Sequence, residues 1–223
     1  MDSFYKYILL FFVGSFCSQA CSDAIPSPDI FTQQNHTVSM SEMEFPYDLT
    51  SPNLEVKLPK SLIEISGICL SGDSSLLAIQ DEQGILFELS ASTGLLVHEK
   101  RFGEDNDYEG ITLVNDKLYV LCSDGEIIEI KNWAGQPTIN SFKTGLESEH
   151  DAEGICYEAH SHSLLIACKG KPSLKSNKKK LSRSVFRYSL KTKKLDSTPA
   201  YSIDYEMLKA YLSKQDPDNK GIS

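Results

Sequence analysis

A repeat with a period of 43 to 44 residues limits the folds open to this chain more than any other feature. The quartet Ile65–Ile68 (ISGI) aligns with Tyr108–Ile111 (YEGI) and with Ala152–Ile155 (AEGI), at steps of 43 and 44 residues. A second register agrees, with apolar runs that begin at Leu76, Leu118 and Leu164. Self-similarity at a fixed period of this size is typical of repeat architectures.

Each repeat contains short β-type runs separated by turn residues, and four such strands per unit is the size of a β-propeller blade. The apolar residues alternate or occur in runs rather than recurring at a spacing of 3.6, which excludes a helical repeat. The sequence therefore predicts an all-β fold, a β-propeller of four-stranded blades with three blades present. The predicted strands are Ile65–Leu70, Leu76–Gln80, Ile85–Ser90 and Leu95–Phe102; Gly110–Val114, Lys117–Cys122, Glu126–Ile130 and Thr138–Phe142; Gly154–Glu158, Ser163–Cys168, Ser184–Leu190 and Ala200–Ile203.

Residues 54–223 form the predicted partial propeller domain. A lone strand is predicted from Leu54, and a helical pattern follows the third blade. Propellers typically have at least four blades, so the sequence predicts a domain truncated at its C-terminus, the front part of a longer protein; an unusual complete fold is the alternative.

The N-terminus is predicted to be a targeting segment. Lys6 precedes an apolar run of ten residues, which suits the core of a signal peptide and is too short to cross a bilayer. Ala20 before Cys21 is typical of a bacterial lipoprotein leader (1–21) with lipidation at Cys21; an ordinary secretory signal is the alternative. Residues 22–53 are rich in Ser, Pro, Asn and Gln and are predicted to form a flexible tether. The expected location is the bacterial cell envelope, as a membrane-anchored lipoprotein or a periplasmic or secreted protein.

Charge is distributed unevenly along the chain. The formal net charge is −9, yet residues 171–194 contain ten Lys or Arg and no acid. The acidic balance of the rest disfavours nucleic acid as a partner. The basic insertion Lys169–Ser184 has three interpretations: a solvated loop, an anion-binding flap, or a contact to anionic lipid.

Strand direction predicts which side chains meet. In a meander blade, the start of the first strand, the end of the second and the start of the third lie at one end of the blade. The predicted channel mouth comprises Glu64, Asp81, Glu82, Asp107, Glu109, Asp124, Asp151, Glu153 and Lys169. Converging carboxylates either acquire raised pKa values or hold a cation, and oxygen ligands favour Ca²⁺. The alternative is that these acids cap turns.

Cysteine spacing gives one further prediction. No CxxC is present, so a zinc or thioredoxin site has no support. Cys156 and Cys168 flank a predicted hairpin and could form a cross-strand disulfide, the alternative being free thiols. His150 is expected to face solvent, and the sequence contains no GxSxG, P-loop or dinucleotide motif.

Six ordered motifs together resemble the SdiA-regulated family, also called the YjiK/CarP family, over residues 54–223. These motifs are LIEISGI, AIQDEQGILFEL, DYEGI, LYVLCSDGEIIEI, AEGICYE and LLIACKGKP. The resemblance implies an envelope-associated bacterial β-propeller, a distant similarity to β-propeller phytases, and a link to calcium homeostasis. It supports Asp81, Glu82, Asp107, Glu109, Glu153 and Lys169 as mouth residues.

Two functions follow as hypotheses. The first is an envelope-anchored, non-enzymatic propeller that binds calcium or an unidentified ligand at the mouth, with Asp81, Glu82, Asp107, Glu109 and Glu153 toward the metal and Lys169, Asp124 and Asp151 toward the ligand. The second is a calcium-dependent phosphoesterase of the phytase type, in which Lys169 holds substrate phosphate. Fold alone does not decide between them.

Overall fold

The computed structural model describes residues 51–52, 55–174 and 182–215. The chain divides into two compact units, residues 1–56 and 57–223, and the strands and the helix described below belong to the second. The predicted leader, Cys21 and all but residues 51–52 of the predicted tether lie outside the described residues. No helix in the described part of the chain is long and apolar enough to span a membrane.

The second unit consists of three antiparallel sheets in chain order. Blade one contains β1 (Ile65–Ser71), β2 (Ser75–Gln80), β3 (Ile85–Ser90) and β4 (Leu96–Arg101). Blade two contains β5 (Tyr108–Val114), β6 (Lys117–Cys122), β7 (Glu126–Lys131) and β8 (Thr138–Lys143). Blade three contains β9 (Ala152–Glu158), β10 (Ser163–Cys168), β11 (Ser182–Ser189), β12 (Lys194–Leu195) and β13 (Tyr201–Asp204), and α1 (Tyr205–Gln215) follows. The predicted all-β propeller fold of four-stranded blades is confirmed.

Blade three departs from the prediction at its outer edge. The predicted fourth strand corresponds to β13, but β12 precedes it along the same edge of β11. Hydrogen bonds from Asp196 N to Arg187 O and from Ala200 N to Val185 O bound the interruption between the two strands. Pro199 lies in this gap and has no N–H to donate to a ladder, which favours a break at an edge strand.

Two apolar layers hold the blades together. The alternation of side chains along each strand sends every second residue to the same face of its blade. The layer between blades one and two includes Leu77, Ile79, Tyr108, Val120 and Ile130. The layer between blades two and three includes Leu121, Ile127, Leu164, Ile166 and Phe186. Burial of each such side chain contributes roughly 1.5–3 kcal/mol relative to exposure, so contact between blades stabilises the fold substantially.

The first strands of the blades lie side by side, β5 between β1 and β9. Two glycines lie at the closest approach of these strands. A Cβ atom added to Gly67 would lie 2.9 Å from Ile111 N, and one added to Gly110 would lie 3.2 Å from Ile155 N. The glycines thus allow these first strands, which we call the inner strands, to pack backbone against backbone. This packing brings the beginnings of the three inner strands together.

Candidate functional site

Each inner strand carries one residue without a cross-strand partner, at the same place in the repeat. In β5 the register steps from Tyr108, opposite Cys122, to Gly110, opposite Leu121, and Glu109 is left unpaired. The equivalent bulged residues are Ser66 in β1 and Glu153 in β9. A β-bulge redirects a side chain and interrupts pairing. In blades two and three the Glu of the repeated motif is therefore the residue that the bulge reorients, and in blade one it is Ser66.

Backbone hydrogen bonds fix the ends of the strands around these bulges. In each blade, the residue that follows the second strand donates its N–H to the carbonyl oxygen of the residue that precedes the inner strand. The three bonds are Asp81 to Glu64 (3.2 Å), Ser123 to Asp107 (3.0 Å) and Lys169 to Asp151 (2.8 Å).

The carbonyls of Asp81 and Ser123 in turn accept from Tyr108 N (2.8 Å) and Ala152 N (2.9 Å), the first residues of the next blades. These bonds join blade to blade. They give three equivalent positions at the mouth, filled by Asp81, Ser123 and Lys169.

The structure brings charged side chains of blades two and three together at this mouth. Lys169 Nζ lies 2.5 Å from Glu153 Oε1 and 3.4 Å from Asp151 Oδ2. The hydrogen bond to Glu153 is the main cause of the raised pKa of Lys169. Glu109 of blade two is close enough to be affected by the charges of Asp107, Glu153 and Lys169. We call Asp107, Glu109, Asp151, Glu153 and Lys169 the mouth cluster.

Glu109 is the carboxyl group that the mouth cluster perturbs most. Burial raises its pKa to about 8, with further increases from the charges of Glu153 and Asp107 and from a hydrogen bond with the Asp107 side chain. Lys169 opposes this increase only in part. A carboxyl group with such a pKa is largely protonated at pH 7 and can release its proton when a cation approaches.

Two mouth positions in blade one have unsatisfied polar atoms. Asp81 Oδ1 and Ser66 Oγ are buried and have no hydrogen-bond partner among the described residues. Buried polar atoms without a partner are uncommon in proteins. Blade one thus adds two oxygen atoms at positions equivalent to Lys169 and Glu153 of blade three.

Two further predicted residues do not join the mouth cluster through their side chains. Glu82 is exposed, and its backbone N–H donates to Gln80 Oε1. Asp124 lies instead with Cys122 and Glu126, where one ligand atom from each side chain falls within 4.8 Å of the others.

That second group has a structural explanation. Asp124 Oδ1 accepts a hydrogen bond from Glu126 N at 2.9 Å, which closes the turn between β6 and β7. Burial raises the pKa of the Cys122 thiol to about 12, so the sulfur stays protonated and is a poor metal ligand. Among the described residues, no equally close set of three acidic, His or Cys ligand atoms occurs in the mouth cluster.

The prediction that Cys156 and Cys168 face each other is wrong. Cys156 pairs with Leu165 and Cys168 pairs with Ala152, so the two residues lie at different points along the β9–β10 ladder. Both are free thiols. Their separation follows from the hairpin register, which sequence spacing alone does not give.

The expectation that His150 faces solvent is also wrong. His150 is buried, its Nδ1 accepts a hydrogen bond from Glu147 N at 3.0 Å, and its ring packs against Phe186. His150 thus closes a short 3-10 turn (Ser148–His150) just before β9 and holds the approach to Asp151. Asp151 itself has a φ of 53°, in the left-handed region.

Several solved structures are similar to part of this chain at low sequence identity. Virginiamycin B lyase from Staphylococcus aureus is 13% identical over 67% of this chain and 43% of its own, with a TM-score of 0.44. Glutaminyl cyclase from Myxococcus xanthus is 12% identical over 71% of this chain and 60% of its own, with a TM-score of 0.44. The β-propeller domain of Cps50 (Swd1) from Myceliophteria thermophila is 13% identical over 62% of this chain and 43% of its own, with a TM-score of 0.40.

The chain spans less than half the length of the lyase it resembles. No protein-family model matches the chain, and no curated protein matches it either. The resemblance to the SdiA-regulated family therefore stays a prediction from the sequence motifs.

Proposed function

We propose that this chain belongs to a β-propeller binding protein whose mouth cluster takes up a cation, with Ca²⁺ as the ion. The observation that carries the proposal is the state of Glu109: burial, two neighbouring carboxylates and a shared hydrogen bond raise its pKa to about 8. A group of carboxylates that retains a proton near neutral pH favours a divalent cation in place of that proton.

The donor chemistry of the cluster suits calcium. Asp107, Glu109 and Glu153 offer only oxygen atoms, which calcium accepts in flexible geometry. In the present arrangement Lys169 already neutralises Glu153. An incoming ion therefore competes with the Lys169 ammonium for Glu153 and with a proton for Glu109.

Calcium binding is expected to depend on pH because Glu109 must lose its proton. Below pH 8 the association constant should rise about tenfold per pH unit, and above pH 8 it should level off. Isothermal titration calorimetry of the full chain with CaCl₂ between pH 6 and 9 measures this slope. Glu109→Gln should abolish this pH dependence, whereas Glu99→Gln, which removes an exposed carboxylate on β4, should preserve it. No calcium binding at any pH would contradict the proposal.

The phosphoesterase alternative has weaker support. It requires Lys169 to hold substrate phosphate, and Lys169 is engaged by Glu153 and Asp151. Residues 175–181 of the basic insertion lie outside the described residues, so their role stays a prediction. Calcium-dependent release of phosphate from phytate, lost on chelation, would favour this alternative over a purely binding function.

An envelope location completes the proposal, with lipidation at Cys21 as the membrane anchor. Its support is the order of apolar run, Ala20 and Cys21 in the sequence. Cys21→Ala is expected to move most of the protein from the membrane fraction to the soluble fraction when the chain is expressed in a bacterium. Cys17→Ala, within the apolar leader, should leave the distribution unchanged. If Cys21→Ala stays in the membrane fraction, the anchor is wrong.

A further inference from the structure

A cavity lies between blades two and three, at the strand ends opposite the mouth cluster. Its volume is about 390 Å³, enough for a small molecule. The lining residues are the end of β5 and its turn, side chains of β6, β7 and β8, and residues of the blade-three hairpins. The charged residues among them are three lysines and one glutamate: Lys117, Lys131, Lys193 and Glu129.

Glu129 is a buried carboxylate that is already satisfied. Its side chain is 5% exposed, and it accepts a hydrogen bond from the Tyr119 hydroxyl at 2.8 Å. Lys131 Nζ lies 3.1 Å from Oε1 and Lys193 Nζ lies 3.5 Å from Oε2. The pKa of Glu129 is lowered despite burial, because these donors stabilise the charged form. Among the lining residues, Glu129 therefore neutralises one positive charge and leaves an excess of two; Asp116, outside the lining, also acts electrostatically on Tyr119.

Lys117 carries part of that excess. It is half-buried and forms no ion pair with the residues that the structure describes. Lys117 also lies directly opposite Lys131 on the neighbouring strand. Like charges placed opposite each other across two strands destabilise a sheet. Glu129 already neutralises Lys131, so Lys117 is the ammonium of this pair that has no acidic partner among the described residues.

Blade three closes the cavity with a third ammonium. Lys193 has a φ of 54° in the hairpin between β11 and β12, an uncommon conformation for a residue with a side chain. This turn sets Lys193 Nζ 4.4 Å from the centre of the Phe142 ring and 5.6 Å from that of Tyr119. The cavity thus combines a cationic group with an aromatic wall.

A buried donor near this site also has no partner. Tyr188 is 1% exposed, and its hydroxyl makes no hydrogen bond with the described residues. Burial raises the pKa of Tyr188, and the negative charge of Glu129 raises it further.

We propose that this cavity binds a small phosphate monoester, with its phosphate at Lys117, Lys131 and Lys193 and its organic part against Phe142. A phosphate monoester has a charge of about −1.5 to −2 at pH 7. That charge matches the excess of two positive charges better than a single carboxylate does. This site is separate from the mouth cluster and does not depend on the proposed calcium binding.

Phenyl phosphate is the probe, and benzoate is its monoanionic counterpart. Isothermal titration calorimetry of the full chain should detect binding of phenyl phosphate. The affinity for benzoate should be at least about tenfold lower. Lys117→Gln should lower the affinity for phenyl phosphate about tenfold, because one charge-assisted contact is lost. Lys143→Gln removes an exposed lysine on β8 that does not line the cavity, and should change nothing.

Thermal unfolding distinguishes loss of the site from loss of the fold. Without ligand, Lys117→Gln should have a midpoint equal to or above that of the wild type, because the repulsion with Lys131 is relieved. Phenyl phosphate should raise the wild-type midpoint and leave the variant's midpoint nearly unchanged. Undetectable phenyl phosphate binding, equal binding of benzoate, or unchanged affinity in Lys117→Gln would each overturn the proposal.

Discussion

Glu109→Gln is expected to make the folded protein more stable than the wild type at pH 8 and above, by roughly 2 kcal/mol. The pKa of Glu109 is raised to about 8 in the folded state, against an ordinary value of 4.5. A shift of that size corresponds to several kcal/mol, and partial exposure of the group to solvent reduces it to the smaller figure. Glutamine keeps the size and hydrogen-bonding capacity of the side chain and has no charge to bury.

The pH dependence follows from the protons bound in each state. Below about pH 4.5 both the folded and the unfolded protein hold the Glu109 proton, and the variant has no electrostatic advantage. Between pH 4.5 and 8 the unfolded chain loses this proton first, so the free energy of unfolding of the wild type falls as pH rises. Above pH 8 both states are ionised and the difference stays constant.

Urea unfolding at a series of pH values measures this effect. The free energy of unfolding of Glu109→Gln minus that of the wild type should be near zero at pH 4, grow through pH 5 to 8 and then level off. Glu99→Gln, at an exposed position on β4, should show no such growth. A difference that does not vary with pH would show that Glu109 ionises normally in the folded protein. Calcium must be removed by chelator, because a bound ion would reverse the sign.

The sequence predicted the strands well because the signals involved are local. Alternating apolar residues and turn residues within one repeat give each strand nearly its observed bounds; β6 (Lys117–Cys122) was predicted to the residue. The spacing of DYEGI and DAEGI also predicted that Asp107, Glu109, Asp151 and Glu153 lie at one end of the blades. These residues follow from strand direction and the repeat period, and neither depends on packing detail.

Features set by register or by distant contacts could not be predicted in the same way. Sequence spacing places Cys156 and Cys168 symmetrically about a hairpin centred on His162, but the ladder pairs Ser163 with Glu158 and so places Cys156 opposite Leu165. His150 is a polar residue in a connecting segment, and its burial involves distant residues, including Phe186, whose ring packs against it. Local composition contains no signal for either outcome.

The cavity between blades two and three was missed for a related reason. Glu129 occurs within an apolar strand, where the sequence suggests an outward-facing charge. Its partner Lys193 lies 64 residues away in the chain, and Tyr119 approaches from the adjacent strand. A charged residue inside a buried strand is the signal that could have indicated the site, because such residues are almost always paired.

Two equivalent glycines should respond differently to the same substitution, and this difference tests how the inner strands pack. A Cβ atom at Gly67 would lie 2.9 Å from Ile111 N and 3.0 Å from Gly110 Cα, both backbone atoms of the next blade. The nearest atom to a Cβ at Gly154 would be Ala167 Cβ at 3.8 Å, an ordinary contact. Neither glycine has a positive φ, so backbone conformation does not distinguish them.

Gly67→Ala is therefore expected to reduce the free energy of unfolding by about 2–3 kcal/mol, because β1 and β5 must separate to admit the methyl group. Gly154→Ala should be neutral or stabilising by about 0.5 kcal/mol, since alanine restricts the unfolded chain more than glycine does. Urea unfolding of both variants, with the slope of the transition compared as well as its midpoint, gives the two values. Equal effects at the two positions would mean that β1 and β5 do not pack as closely as described, and the shared mouth built on that packing would lose its basis.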